Sequence, residues 1–198
     1  KEISHLLYDR FLSRNNVGGE CASVPDFPPA LLLACTGTDF YGENDVKTEN
    51  TDAFEILASI PYAEAIKDTN TNSLFKCLTA RRIVFDPISP SATYEWSLNA
   101  GDGQPRKHAT FYFTPGATLD TATVVINSND STTQTAGYPY TDYTTCGIMT
   151  LDFEGHHCTL WVKNATLSVP EECHRQFTKI CGEGVSLYDK SACRQLMA

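Results

Sequence analysis

Eight cysteines constrain this chain more than any other feature: Cys21, Cys35, Cys77, Cys146, Cys158, Cys173, Cys181 and Cys193. They are even in number, spread along the 198 residues and never paired as CxxC. That pattern reads as a disulfide framework made in an oxidising compartment, not as zinc ligands. Eight cysteines allow roughly a hundred connectivities, so their number alone selects none. Two sequons, at Asn129 and Asn164, are glycosylation candidates that suit the same compartment. No apolar run approaches the length of a membrane span. "PPALLLAC" is too short and too far into the chain for a signal peptide, so the expected form is a processed, secreted, extracellular protein. The charge balance is 15 basic against 24 acidic residues, a net −9. With no basic cluster to release counterions, nucleic acid and anionic membranes are excluded as partners. The acidity suits solubility or a basic partner.

The first fifty residues differ from the rest. Ile3, Leu6, Leu7 and Phe11 recur at helical spacing, Gly18-Gly19 ends that helix, and a proline-rich stretch lies between Cys21 and Cys35. Residues 1–51 read as an N-terminal extension, a short helix plus a disulfide-pinned loop, ahead of one domain over 52–198. "DAFEIL" reads as a helical turn capped by Asp52. Short β-branched and aromatic runs follow, broken by turn signals, at 60–67, 74–86, 92–99, 108–114, 121–127, 138–145, 146–153 and 157–163. In 92–99, Tyr94, Trp96 and Leu98 alternate with Thr93, Glu95 and Ser97. Eight strands joined mostly by hairpins predict an antiparallel up-and-down barrel. After Lys163 the period changes. Ser168 and Glu171 have capping-box spacing, Pro170 and Gly182 bracket a helix, and Cys173, Phe177, Ile180 and Cys181 share its inner face. The chain is expected to close as a short strand ending at Cys193.

Motifs for catalysis are absent: there is no GxSxG elbow, P-loop, GxGxxG or HExxH. "SLFK" matches SxxK by chance on an expected strand. The adjacent His156 and His157 point to opposite faces of a strand and cannot chelate one ion together, so neither a metal nor a cofactor is expected. The chain reads as a binder, not an enzyme.

"DAF", "FKC", "YTDYTTC", "CTLWV", "VPEEC…F…CG" and a final "SAC" occur in order between Asp52 and Cys193. In this the sequence resembles the tick salivary lipocalins, the family that includes the histamine-binding proteins. The resemblance implies an eight-stranded lipocalin barrel with a C-terminal helix packed on its outside. It also implies the disulfides Cys77–Cys193 and Cys146–Cys173. The remaining cysteines then pair most simply as Cys158–Cys181 and Cys21–Cys35. Amine-binding relatives carry an Asp after the cysteine equivalent to Cys146 and a Glu before the Leu-Trp equivalent to Leu160-Trp161. Here those positions are Gly147 and Thr159. A buried ammonium needs a countercharge, so scavenging of histamine or serotonin is disfavoured.

Two other targets remain. A lipid mediator, leukotriene or fatty acid, would sit among Tyr94, Trp96, Phe111, Phe113 and Trp161, with Arg82 turned inward for a carboxylate. The alternative is that these rings simply fill the barrel. The leading expectation places function outside it: a monomer that binds a host complement protein, the basic regulator properdin or complement component C5, and inhibits complement.

Overall fold

The computed structural model describes residues 51–99, 104–127, 133–163 and 168–196, within the unit Asp45–Ala198. The extension up to residue 50, with Cys21 and Cys35, and the sequon residues Asn129 and Asn164 lie outside the described residues.

A short helix, α1 (Ala53–Ser59), leads into eight barrel strands. These are β1 (Tyr62–Asp68), β2 (Thr79–Asp86), β3 (Ser91–Leu98), β4 (Lys107–Pro115), β5 (Thr121–Ile126), β6 (Thr133–Thr141), β7 (Cys146–Asp152) and β8 (His156–Val162). Each pairs antiparallel with the next, and β1 pairs with both β2 and β8, which closes the barrel. Helix α2 (Glu171–Cys181), strand β9 (Val185–Ser186) and helix α3 (Lys190–Leu196) follow, with β9 added to the end of β1 at Lys67 and Asp68. None of the described helices is long and apolar enough to cross a membrane.

Seven residues cannot sustain a helix alone, so α1 is held from both ends. The Asp52 carboxylate accepts from the Phe54 and Glu55 amides at 2.8 and 3.1 Å. At the other end Arg82 Nη1 donates to the Leu57 and Ala58 carbonyls at 2.7 and 2.8 Å. The Tyr94 hydroxyl lies 2.9 and 2.7 Å from the Leu57 and Ile60 carbonyls. Ile56 and Leu57 are thereby pressed into the end of the barrel.

Two cores result from strand alternation. Tyr94, Trp96, Phe111, Phe113, Val124, Tyr138, Met149, Leu151 and Trp161 fill the barrel. Ile66, Tyr140, Ile148, Leu160 and Val162 face outward and are covered by Phe177 of α2. Disulfides Cys146–Cys173 and Cys158–Cys181 clamp α2 onto β7 and β8. Cys77–Cys193 joins the β1–β2 connection to α3.

Several local expectations are corrected. The run at 74–86 is not continuous strand. Asn72 caps a 3-10 turn over Ser73–Phe75, and Cys77 takes φ +57° before β2 begins. The strand expected at 138–145 starts at Thr133 and stops at Thr141. There the Asp142 carboxylate accepts from the Thr144, Thr145 and Cys146 amides and forces a turn. The capping box at Ser168 does not form, because α2 begins after Pro170 without a side-chain cap. Ile180 is 37% exposed, and Gln176 takes its place on the covered face. Cys193 sits on helix α3, not on a strand. The Asp189 carboxylate caps that helix by accepting from the Ser191 and Ala192 amides.

Candidate ligand site

Two bulges decide what the barrel interior contains. On β1, Ala63 and Ala65 point inward, and strict alternation would turn Asp68 to the outside. The register shifts between Ala65 and Lys67. The extra residue reverses the alternation. Lys67 therefore lies outside over the Phe177 ring, and Asp68 swings inside, fully buried. On β6 the register shifts between Gly137 and Tyr140, around Pro139, whose missing amide suits a bulge. Tyr138 consequently faces the interior and Tyr140 faces α2.

Asp68 is one member of a buried polar cluster at the end of the barrel away from α1. His157 Nδ1 lies 2.8 Å from Asp68 Oδ2, and its Nε2 lies 2.8 Å from the Phe153 carbonyl. The Thr159 hydroxyl donates to Asp68 Oδ2, and the Asn70 amide donates to Oδ1 at 2.8 Å. Asp68, His157 and Thr159 have no exposed surface. Phe75 lies edge-on to the imidazole, with centroids 4.3 Å apart, and also packs edge-on to Phe153. His156 instead faces solvent and bonds Asp152 at 2.8 Å. The two histidines thus serve opposite faces of β8. The turn between them and β7 has φ +53° at Glu154 and +110° at Gly155, which suits a tight hairpin.

A cavity of about 60 Å³ lies at the α1 end. It is lined by Ile56, Leu57 and Ile60 on one side and by Tyr94, Trp96, Phe113, Tyr138, Met149 and Trp161 on the other, with Gly147 beside them. Among the described residues, no charged one lines it. Burial pushes the Tyr94 phenol up to about 12 and the Tyr138 phenol higher still, so both stay protonated.

Of the residues expected at a site, Tyr94, Trp96, Phe113 and Trp161 meet at this cavity. Phe111 lies behind them, its ring centroid 4.2 Å from that of Trp96. Arg82 lies opposite Tyr94 in the β2–β3 ladder, but its guanidinium caps α1 and lies 4.8 Å from the Phe85 ring centroid, so it is engaged there and does not line the cavity for a carboxylate. Arg81 pairs at the surface with Glu95 at 3.5 Å. The cavity residues Tyr138, Met149, Ile56 and Leu57, and the buried Asp68, were not anticipated. Alternation through 138–145 places Tyr138 and Tyr140 on one face, and the bulge is what separates them. Asp142 lies close to Cys146 and Cys173, but both sulfurs are committed to their disulfide.

Gly147 stands directly opposite Trp161 in the β7–β8 ladder. A Cβ there would meet the Thr141 hydroxyl at 3.5 Å and the Tyr140 carbonyl at 3.6 Å, ordinary contacts. A Cβ is therefore accommodated at this position, where this chain carries no carboxylate. Gly147→Asp is expected to fold with reduced stability, since an unpaired carboxylate beside an apolar cavity is costly. It is also expected to gain serotonin affinity by tenfold or more over the wild type in calorimetric titration.

The sequence matches the family described as tick histamine binding protein over residues 46–195. Among solved structures, it is similar to AM182 in complex with serotonin, at 16% identity and a TM-score of 0.54, covering 72% of this chain and 92% of that one. It is similar to Japanin from Rhipicephalus appendiculatus bound to cholesterol, at 16% identity and a TM-score of 0.50, covering 67% and 95%. Lobster apocrustacyanin A1 matches at 16% identity and a TM-score of 0.52, covering 70% and 81%. No curated protein sequence matches the chain.

Proposed function

The chain belongs to the tick histamine-binding protein family, a lipocalin group, and from that premise we propose that it sequesters a neutral, largely apolar molecule inside its barrel. It does so outside cells, as a disulfide-bonded and glycosylated protein acting without catalysis. The observation that carries this reading is the separation of charge from cavity. The cavity wall is apolar and uncharged, while the interior carboxylate, Asp68, is already bonded by His157, Thr159 and the Asn70 amide. An amine entering the cavity would be desolvated without a countercharge, at a cost of several kcal/mol. A neutral molecule incurs no such cost. One relative of the same fold is named with cholesterol and another with serotonin, and the uncharged wall favours a ligand of the first kind.

At about 60 Å³ the cavity is far below the size of a sterol or fatty acid. Ligand pockets for such molecules run to several hundred Å³. Loading therefore requires the barrel to widen, and α1, whose Ile56 and Leu57 line the cavity, is the element whose displacement adds volume. Native mass spectrometry of protein secreted from eukaryotic cells is expected to show a fraction carrying a neutral lipid. A uniformly unliganded spectrum, unchanged after incubation with sterol, would count against the reading.

The small cavity also favours a second reading. If the barrel stays filled, function moves to its outside, and the net charge of −9 suits a basic complement protein such as properdin. Inhibition of serum haemolysis by Gly147→Trp, a variant with the cavity blocked, would favour that reading over sequestration.

A further inference from the structure

Two of the residues that line the cavity each carry a buried polar atom with no partner among the described residues: the Tyr138 hydroxyl and the Trp161 indole Nε1. Both residues are more than nine-tenths buried. Their situation contrasts with that of Tyr94 in the same wall, whose hydroxyl reaches two backbone carbonyls. Buried polar groups are paired with few exceptions, and an unpaired one is expensive. Two exceptions on residues that line one cavity point to something that pairs with them when the cavity is filled and its wall adjusts.

Their chemistry restricts what that is. An indole N–H only donates. The Tyr138 phenol is held protonated by burial and by the neighbouring Tyr94, so it too has a hydrogen to give. Neither offers the negative charge that an ammonium needs. Both suit an oxygen with free lone pairs and no formal charge. From this we infer that the ligand of the cavity carries a carbonyl, ether or hydroxyl oxygen on an apolar skeleton, and that Trp161 Nε1 and Tyr138 Oη donate to it. The inference rests on the cavity being the ligand site, and adds the polar group that the ligand must present. A pure hydrocarbon would leave both donors unpaired, and an alkylamine would bring a charge with nothing to balance it. Discrimination of this kind comes from the cost of leaving buried donors empty-handed.

The test uses the full chain and three probes of equal length, 2-octanone, octane and octylamine. The chain has two tryptophans, Trp96 and Trp161. A nitrogen-15 proton correlation spectrum therefore has two indole signals, and Trp161→Phe assigns them. Saturation with 2-octanone is expected to move the Trp161 Nε1–H proton downfield, as a new hydrogen bond requires, while octane moves it little. In calorimetry Tyr138→Phe is expected to weaken 2-octanone binding by about three- to tenfold, the worth of one hydrogen bond. Octane binding should stay within twofold of the wild type. Tyr138→Phe removes only the unpaired hydroxyl, so it should unfold at no lower denaturant concentration than the wild type; a clear fall would show that the hydroxyl is already partnered and would overturn the inference. Equal effects of ketone and alkane on the indole proton would also overturn it while leaving the cavity as a site. Tighter binding of octylamine than of 2-octanone would overturn it too. If none of the probes binds, both the inference and the sequestration reading fall.

Discussion

Replacing His157 with alanine is expected to lower the free energy of unfolding by about 3–5 kcal/mol, the usual cost of stranding a buried charge by removing its partner. His157 and Asp68 have no exposed surface, and the imidazole is the only ring that reaches the Asp68 carboxylate among the described residues. Thr159 and the Asn70 amide would still donate to it. Each gives a single hydrogen bond, so they soften the loss without replacing the imidazole. The ring also supports the Phe75 edge contact and holds the Phe153 carbonyl, so its removal opens a void at that end of the barrel. His156→Ala is the control. Its pair with Asp152 is about two-thirds exposed on both sides, and such pairs are worth a fraction of a kcal/mol. Urea unfolding with the disulfides intact measures both. Near-equal effects of the two variants would mean that the Asp68–His157 cluster does not hold the barrel end together.

The second large effect is expected from the Cys77–Cys193 disulfide. Its sequence separation is 116, against 23 for Cys158–Cys181 and 27 for Cys146–Cys173. On the chain-entropy account the longest loop contributes about 5 kcal/mol and the shorter ones about 3–3.5 kcal/mol each. Cys77→Ala with Cys193→Ala should therefore lower stability by more than either other double replacement. It should also release α3, whose Cys193 is fully buried. Limited proteolysis would then trim the C-terminus at or after β9 while leaving the barrel intact. Equal losses for all three pairs would show that the strain and packing around each bridge outweigh loop closure.

Much of the fold was legible because alternation and turn chemistry are local. Tyr94, Trp96 and Leu98 read as one face in the sequence, and they are one buried face in β3. Asp52 reads as a cap, and its carboxylate holds the first turn of α1. The opposite orientations of His156 and His157 follow from strand period alone. What could not be read were the places where one residue changes the phase. The irregularity after Ala65 carries no sequence mark, yet it turns Asp68 inward and so puts a carboxylate in a barrel whose two expected carboxylate positions are Gly147 and Thr159. Pro139 does mark the second bulge, and it is the signal that could have separated Tyr138 from Tyr140. Arg82 was misplaced for a different reason. Strand alternation says that one of two adjacent arginines faces in. The carbonyls at the end of α1 lie within reach of Arg82 and offer it a better partner than an apolar interior does. Asp189, followed by Ser191 and Ala192, starts a helix within a stretch whose sequence alone suggests a strand.

Thr159 joins these threads. It stands where the family resemblance implies a glutamate in amine binders, and in this barrel its hydroxyl donates to the Asp68 carboxylate. The interior thus has its carboxylate hydrogen-bonded at one end and an uncharged cavity wall at the other. Isothermal titration of the wild-type protein with serotonin, set against the neutral probe 2-octanone, tests that division most directly. The expected result is measurable binding of the ketone and at least a hundredfold weaker binding of serotonin. Nanomolar binding of serotonin would contradict it, and would mean that Asp68 is given up by His157 to the ligand.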